Sequence, residues 1–149
     1  MIEYLMYKKL LLISILFITI APVANAIQKQ KLCSLFFNNG INLHNIQLAS
    51  NTFEQAKGLS GSTSTEVGML FLFSKPSRPV FWMRDTLLPL SIGFFSVDSH
   101  LFQIEDMVPK TDIHHFPEKP IMVALELPQG KFAELGLSIG TLLSRYECK

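Results

Sequence analysis

Clustered positive charge is the first thing missing from this chain. Its 13 lysine and arginine residues are scattered along 149 positions beside 12 acidic ones, with only Lys8 and Lys9 adjacent, so no basic stripe is available to neutralise a row of phosphates. Nucleic acid and anionic membrane surfaces are therefore not expected as partners. Cysteine is equally scarce: Cys33 and Cys148 are the only two, which leaves no Cys-X-X-Cys redox motif and no cysteine-rich zinc site. The four histidines, His44, His100, His114 and His115, form no His-X-His and no zinc-protease helix motif. No metal and no cofactor is expected. A serine hydrolase is also disfavoured, because Gly58-Leu59-Ser60-Gly61-Ser62 lacks the glycine two residues after the serine and has no strand before it. Internal repeats and low-complexity tracts are absent as well.

Long apolar runs are missing too. The longest near the N-terminus, Leu10 to Ile20, follows Lys8 and Lys9 and precedes Pro22 and Ala24-Asn25-Ala26. Such a run is about half the length needed to span a bilayer, and its layout is that of a secretory signal peptide cleaved after Ala26. The expectation is a cleaved segment over residues 1–26, a single domain over 27–149, and an exported protein, periplasmic or secreted, with no membrane span after cleavage. Removing Lys8, Lys9 and Glu3 leaves eleven charges of each sign and a formal net charge of zero. In an oxidising compartment the two cysteines imply one bridge, Cys33 to Cys148, closing almost the whole domain.

What the chain does have is a dense stretch from Gly68 to Ile92, GMLFLFSKPSRPVFWMRDTLLPLSI. It holds the only tryptophan and continuous apolar runs separated by Pro76 and Pro79, too short for useful helices and rich in aromatics, so they read as buried strands. Val80 to Arg84, read as a strand, puts Trp82 and Arg84 on one face and Met83 on the other. Before this stretch, Leu32 to Phe37 reads as a strand closed by Asn38-Asn39-Gly40. In its partner strand the alternation slips at His44-Asn45, the mark of a bulge. Thr52 reads as the cap of a short helix, with Gln55 completing a capping box and Gly58 as the stop. Ser60 to Thr65 is a polar loop.

After it, Leu90 to Val97 and His100 to Met107 read as a hairpin turning at Asp98-Ser99, and Leu90, Ile92 and Phe94 share a face. Val108 to Pro120, with three prolines and the His114-His115 pair, reads as an exposed loop. Ile121 to Leu127 is a strand that puts Glu126 on a face with Met122 and Ala124. A helical turn at Lys131 to Leu135 and a last strand from Thr141 follow. The sum is a mainly β fold: a small antiparallel sandwich or partly closed barrel with two short helices.

A carboxyl on an apolar strand face is either paired with a cation, here Arg84 or Lys57, or raised in pKa by desolvation until it can act as an acid near neutrality. Glu126 is the leading candidate catalytic residue on that ground, with Asp85 beside it in the order of preference. A tryptophan next to a charged group is how flat rings are held at a cleft.

The blocks Lys57-Gly58-Leu59, Gly68 to Phe71, Phe81 to Thr86 with Pro89-Leu90, Ala124 to Pro128 with Gly130, and Gly136 to Gly140 resemble, in order, those of the domain of unknown function 192 family. The resemblance implies a small, mainly β domain, often exported, with a cluster of polar residues and no established activity. Relative to that pattern, Lys57 stands in place of arginine, Asp85 in place of asparagine and Ser91 in place of aspartate. Together these readings give a ligand-binding set of Lys57, Trp82, Arg84, Thr86 and Ser91 around Glu126. Three functions stay open: a binder of a small polar ligand such as a carbohydrate or cell-wall fragment, a hydrolase or lyase using Glu126 and Asp85, and an envelope structural or interaction protein. Oligomeric state is not readable.

Overall fold

The computed structural model describes residues 29–64 and 68–149. The signal peptide expected over residues 1–26 lies outside them, as does Thr65 at the end of the expected polar loop. In chain order the elements are β1 (Leu32–Phe37), β2 (Asn42–Ala49), α1 (Thr52–Lys57), β3 (Met69–Ser77), β4 (Leu90–Phe95), β5 (Leu101–Met107), β6 (Ile121–Pro128), α2 (Lys131–Glu134) and β7 (Leu143–Cys148). All seven strands form one sheet in the order β5-β4-β6-β3-β2-β1-β7, curled into a half-barrel. The expected partly closed, mainly β architecture is what the chain adopts.

Its local chemistry explains most of the joins. Gly40 takes a φ of 84° and closes the β1–β2 turn, with its N–H donating to Phe37 O at 3.1 Å. The expected bulge falls at His44-Asn45: Cys33 pairs with Ile46 and Leu35 with Leu43, and Asn45 has a φ of 59°. One extra residue on β2 returns its apolar side chains to the core face. The cap of α1 differs from expectation by one residue. Asn51 Oδ1 accepts from Glu54 N at 2.9 Å, and Glu54 Oε2 accepts from Ser50 N at 2.8 Å. Gln55 is thus released from capping, and its Nε2 donates instead to Leu72 O at 2.8 Å, tying α1 to β3.

β2 and β3 run parallel, Gln47 beside Met69 and Ala49 beside Phe71, whereas every other pair is antiparallel. A parallel neighbour requires a crossover, and α1 with the loop after it supplies one. β6 then inserts between β3 and β4, so the sheet position beside β3 is filled from later in the chain. For this reason Val80 to Arg84 is not a strand of the sheet. It makes only an isolated bridge between Phe81 and His115. The alternation survives without the sheet, since Phe81 and Met83 are buried while Val80, Trp82 and Arg84 are exposed.

Each face of the sheet carries a core. Leu35, Leu70, Phe95, Leu101 and Leu125 belong to one, and Phe71, Met83, Ile92, Phe94 and Ala124 to the other. β4 lies between them and is buried at every position, which is why it reads as a continuous apolar run rather than an alternating one. Gly93 has a specific use there. A Cβ at that position would lie 2.7 Å from the Phe132 ring of α2, so the missing side chain is the seat of that ring. Cys33 and Cys148 are Cα partners across β1 and β7 and form the expected disulfide.

The 108–120 segment departs from an exposed loop. His115 and Pro117 are buried, His115 Nδ1 lies 2.7 Å from Glu105 Oε2, and Arg78 Nε donates to Pro117 O at 2.9 Å. Lys110 N donates to Met83 O at 2.9 Å, and Met83 N to Thr111 O at 3.2 Å. The segment has no regular hydrogen-bond ladder, yet its backbone is anchored to the residues around Trp82.

Candidate functional site

Glu126 sits in β6 with Met69 of β3 and Ile92 of β4 as its Cα partners. Leu125 and Leu127 point into one core, so the two-residue period turns Glu126 to the other face, beside the cluster of Phe71, Ile92 and Phe94. It is 5% exposed. Among the described residues its side chain has no hydrogen bond and no ion pair. Burial alone pushes its pKa up to about 8, so at neutral pH the carboxyl is predominantly protonated and can donate a hydrogen bond.

The carboxyl is part of the lining of a cavity of about 330 Å³. One wall is the end of α1 and the turn after it, with Gln55, Lys57, Leu59 and Ser60; the sheet contributes Phe71 and Phe73; the other wall is Pro79 to Trp82 with Asp85 and Thr86. Sequence folds these together by two devices. Gly58, at a φ of 51°, stops α1 so that the chain turns across the sheet. Gly61 N then donates to Asp85 O at 2.9 Å, joining the two walls. The apolar lining is a run of aromatic edges and faces: Phe71 and Phe81 meet edge-on with ring centres 5.1 Å apart. Trp82 is 46% exposed, and its ring centre lies 6.4 Å from that of His114 on the anchored segment.

Glu126, Asp85, Lys57, Trp82 and Thr86 therefore share one cavity, as the sequence reading grouped them. Arg84 and Ser91 do not line it. Arg84 Nε donates to Asp112 Oδ1 at 2.7 Å in the open, and Asp112 is the main cause of the raised guanidinium pKa. The ion pair between Glu126 and Arg84 or Lys57 is not formed. Ser91 is on the opposite face of β4 from Ile92, where its Oγ donates to Asp106 Oδ1 at 2.5 Å and Gln129 Nε2 donates to Asp106 Oδ2 at 3.0 Å. Reasoning from sequence missed Gln55, Ser60, Phe71 and Phe81 as lining residues. The signal for the first two was the helix stop at Gly58, which ends α1 over the sheet. No group of three or more His, Cys, Asp or Glu side chains is arranged to hold a metal among the described residues.

The profile of the domain of unknown function 192 family, DUF192, described as an uncharacterised ACR, matches residues 35–144. The chain belongs to that family. No curated protein matches it. A DUF192 chain of this shape has solved counterparts: a protein of unknown function from Novosphingobium aromaticivorans DSM 12444 is 32% identical, with a TM-score of 0.66 over 78% of this chain and 83% of that one. A protein from Sinorhizobium meliloti 1021, provisionally named a transcription regulator, is 28% identical, with a TM-score of 0.67 over 80% of this chain and 93% of that one. In this DUF192 chain the cavity is lined by one lysine, Lys57, and one aspartate, Asp85, neither with a side-chain hydrogen bond or an ion pair to another described residue, together with the protonated Glu126.

Proposed function

We propose that this protein is an exported domain that binds a small polar ligand, of the carbohydrate or cell-wall-fragment class, in the cavity over Glu126. The observation that carries the reading is the side chain of Glu126, 5% exposed and without a hydrogen bond or ion pair among the described residues, lining a cavity of about 330 Å³. A buried polar group without a partner costs stability, and a ligand that accepts a hydrogen bond from it removes the cost. Trp82 at the rim supplies a flat apolar face for a ring, and Lys57, Asp85 and Thr86 supply directional polar contacts. Export is supported by the arrangement of the first 26 residues and by the Cys33–Cys148 bridge.

The experiment is a thermal-shift screen of the oxidised protein against saccharides and muropeptides, run beside Trp82→Ala and Glu126→Gln. A ligand that raises the melting temperature of the wild type and fails with Trp82→Ala supports the reading. No shift with any member of the panel would overturn it. N-terminal sequencing of protein recovered from the cell envelope is expected to begin at Ile27.

A second reading has its own observation. A carboxyl with a pKa of about 8 is matched to general-acid work at neutral pH, and Asp85 lines the same cavity as the second carboxyl such chemistry needs. In a hydrolase or lyase built this way Glu126 protonates a leaving group and Asp85 takes a proton from water or substrate. Turnover of a bound saccharide that is abolished in Glu126→Gln, with binding retained, separates this reading from binding alone.

A further inference from the structure

The chemistry of the cavity selects within the saccharides, an inference that rests on the proposed binding role. Its inner part is apolar: Leu59, Phe71 and Phe81 are each less than a tenth exposed, and they line the same space as Glu126. A plain sugar hydroxyl surface is a poor match to such walls, because buried hydroxyls need partners at every oxygen. A group with one strong acceptor and one methyl is a good match. The available polar atoms are specific as well. Gln55 commits its Nε2 to Leu72 O and keeps Oε1 as an acceptor, and the Thr86 and Ser60 hydroxyls have no hydrogen-bond partner among the described residues. At the mouth Lys57 and Asp85 bring one charge of each sign, so neither a polyanion nor a polycation is favoured over a neutral ligand.

We propose that the inner cavity takes the amide of an N-acylated, net-neutral sugar. Its carbonyl accepts a hydrogen bond from the Glu126 carboxyl, its acyl methyl packs against Leu59, Phe71 and Phe81, and its ring lies against Trp82. The N–H of the amide has Gln55 Oε1 as its acceptor in the cavity. A free acid or a simple hexose satisfies only part of this set: the acid adds a buried charge, and the hexose leaves the apolar walls without a methyl. A site built to hydrogen-bond a substrate group rejects analogues that lack it, since its own polar atoms are then left unpaired.

Trp82 is the only tryptophan in the chain and stands at the rim, so its fluorescence reports ligand directly. The oxidised protein is titrated with tri-N-acetylchitotriose and with cellotriose, which share a β-1,4 backbone and differ at the acetamido group. Binding of the first with an affinity about tenfold or more above the second is expected for one hydrogen bond plus a packed methyl. Equal affinity for the two overturns the N-acyl inference while leaving a saccharide site standing. No response to either overturns both. The wild type is expected to lose affinity for tri-N-acetylchitotriose as pH rises from about 6.5 to about 9.5, because a carboxylate cannot donate. Glu126→Gln keeps a donor, so it is expected to bind within a few-fold of wild type and to show no such loss. A pH-independent wild-type affinity, or unimpaired binding by a folded Glu126→Leu variant, overturns the assignment of Glu126 as the donor.

Discussion

The buried carboxyl of Glu126 makes stability depend on pH in a direction opposite to that of a salt-bridged acid. Its ordinary value is 4.5 and burial raises it to about 8 in the folded state. Below the unfolded pKa both states hold the proton, and the folded state pays nothing extra. Between the two values the unfolded chain ionises while the folded one keeps its proton, so each unit of rising pH favours unfolding; above the folded value both are ionised and the loss is complete. Integrated over that window the loss is about 5 kcal/mol, an upper figure because relaxation and water entry reduce it. For a domain of this size that corresponds to roughly 15 to 20 °C in melting temperature. The assay is chemical or thermal unfolding of wild type and Glu126→Gln from pH 4.5 to pH 9. The wild type is expected to weaken steadily across the range, and the glutamine variant to remain nearly flat by comparison, so the difference isolates this one group from every other titration. Parallel profiles for the two proteins would refute the reasoning.

Three other perturbations have definite outcomes. Replacing Cys33 and Cys148 by serine opens a loop with a sequence separation of 115 residues and is expected to cost about 3 to 5 kcal/mol in denaturant unfolding; a loss below about 1 kcal/mol would mean that β1–β7 pairing alone holds the ends. Gly93→Ala drives a methyl into the Phe132 ring and is expected to destabilise by roughly 1 to 3 kcal/mol, whereas an unchanged midpoint would show that α2 is free to lift. Trp82→Ala, at a side chain 46% exposed, is expected to move the melting temperature by only a few degrees while removing saccharide binding; a collapse of the fold would instead make Trp82 a core residue.

Much of the fold was legible because local chemistry and tertiary demand agree. Apolar character on both faces of β4, the slip at Asn45 and the glycine turns each state their conformation in sequence. The parallel β2–β3 pair was not legible, because adjacency in a sheet is decided by which strand fills a gap, and β6 begins only at Ile121, well beyond the end of β3 at Ser77. The same competition explains Val80 to Arg84. Its alternation correctly separated Trp82 and Arg84 from Met83, yet period alone does not reveal whether a neighbour is present to make a strand. The burial of His115 is not readable from its own segment because it depends on Glu105 of β5 and on Phe81, which lie outside that segment.

The candidate site was legible to the extent that it follows strand period. Glu126 is placed on its face by the flanking leucines, and the same rule that groups Leu90, Ile92 and Phe94 puts Ser91 on the far side of the sheet. Ser91 is drawn toward the cavity by its place among the polar residues of the Gly68 to Ile92 stretch and by the family resemblance, neither of which accounts for strand period. What no pattern reveals is that Glu126 has no partner among the described residues, since Arg84 lies close in sequence to the cavity wall and is paired instead with Asp112 on the anchored segment.

That absence is the physical argument for function. A buried ion pair can be read as architecture, because its charges answer one another and removal of either is costly. A buried acid beside Phe71, Ile92 and Phe94 that has no partner among the described residues has no such role: a leucine or glutamine of similar size would serve the packing without the pH-dependent penalty. Glu126→Leu is accordingly expected to be at least as stable as wild type at pH 8, measured by denaturant midpoint. If it is, the carboxyl is retained at the expense of the fold, and the cavity it lines is where the return on that expense must be found. If the leucine variant is several kcal/mol weaker, on the order of 3 or more, Glu126 has a structural partner and the cavity loses its claim.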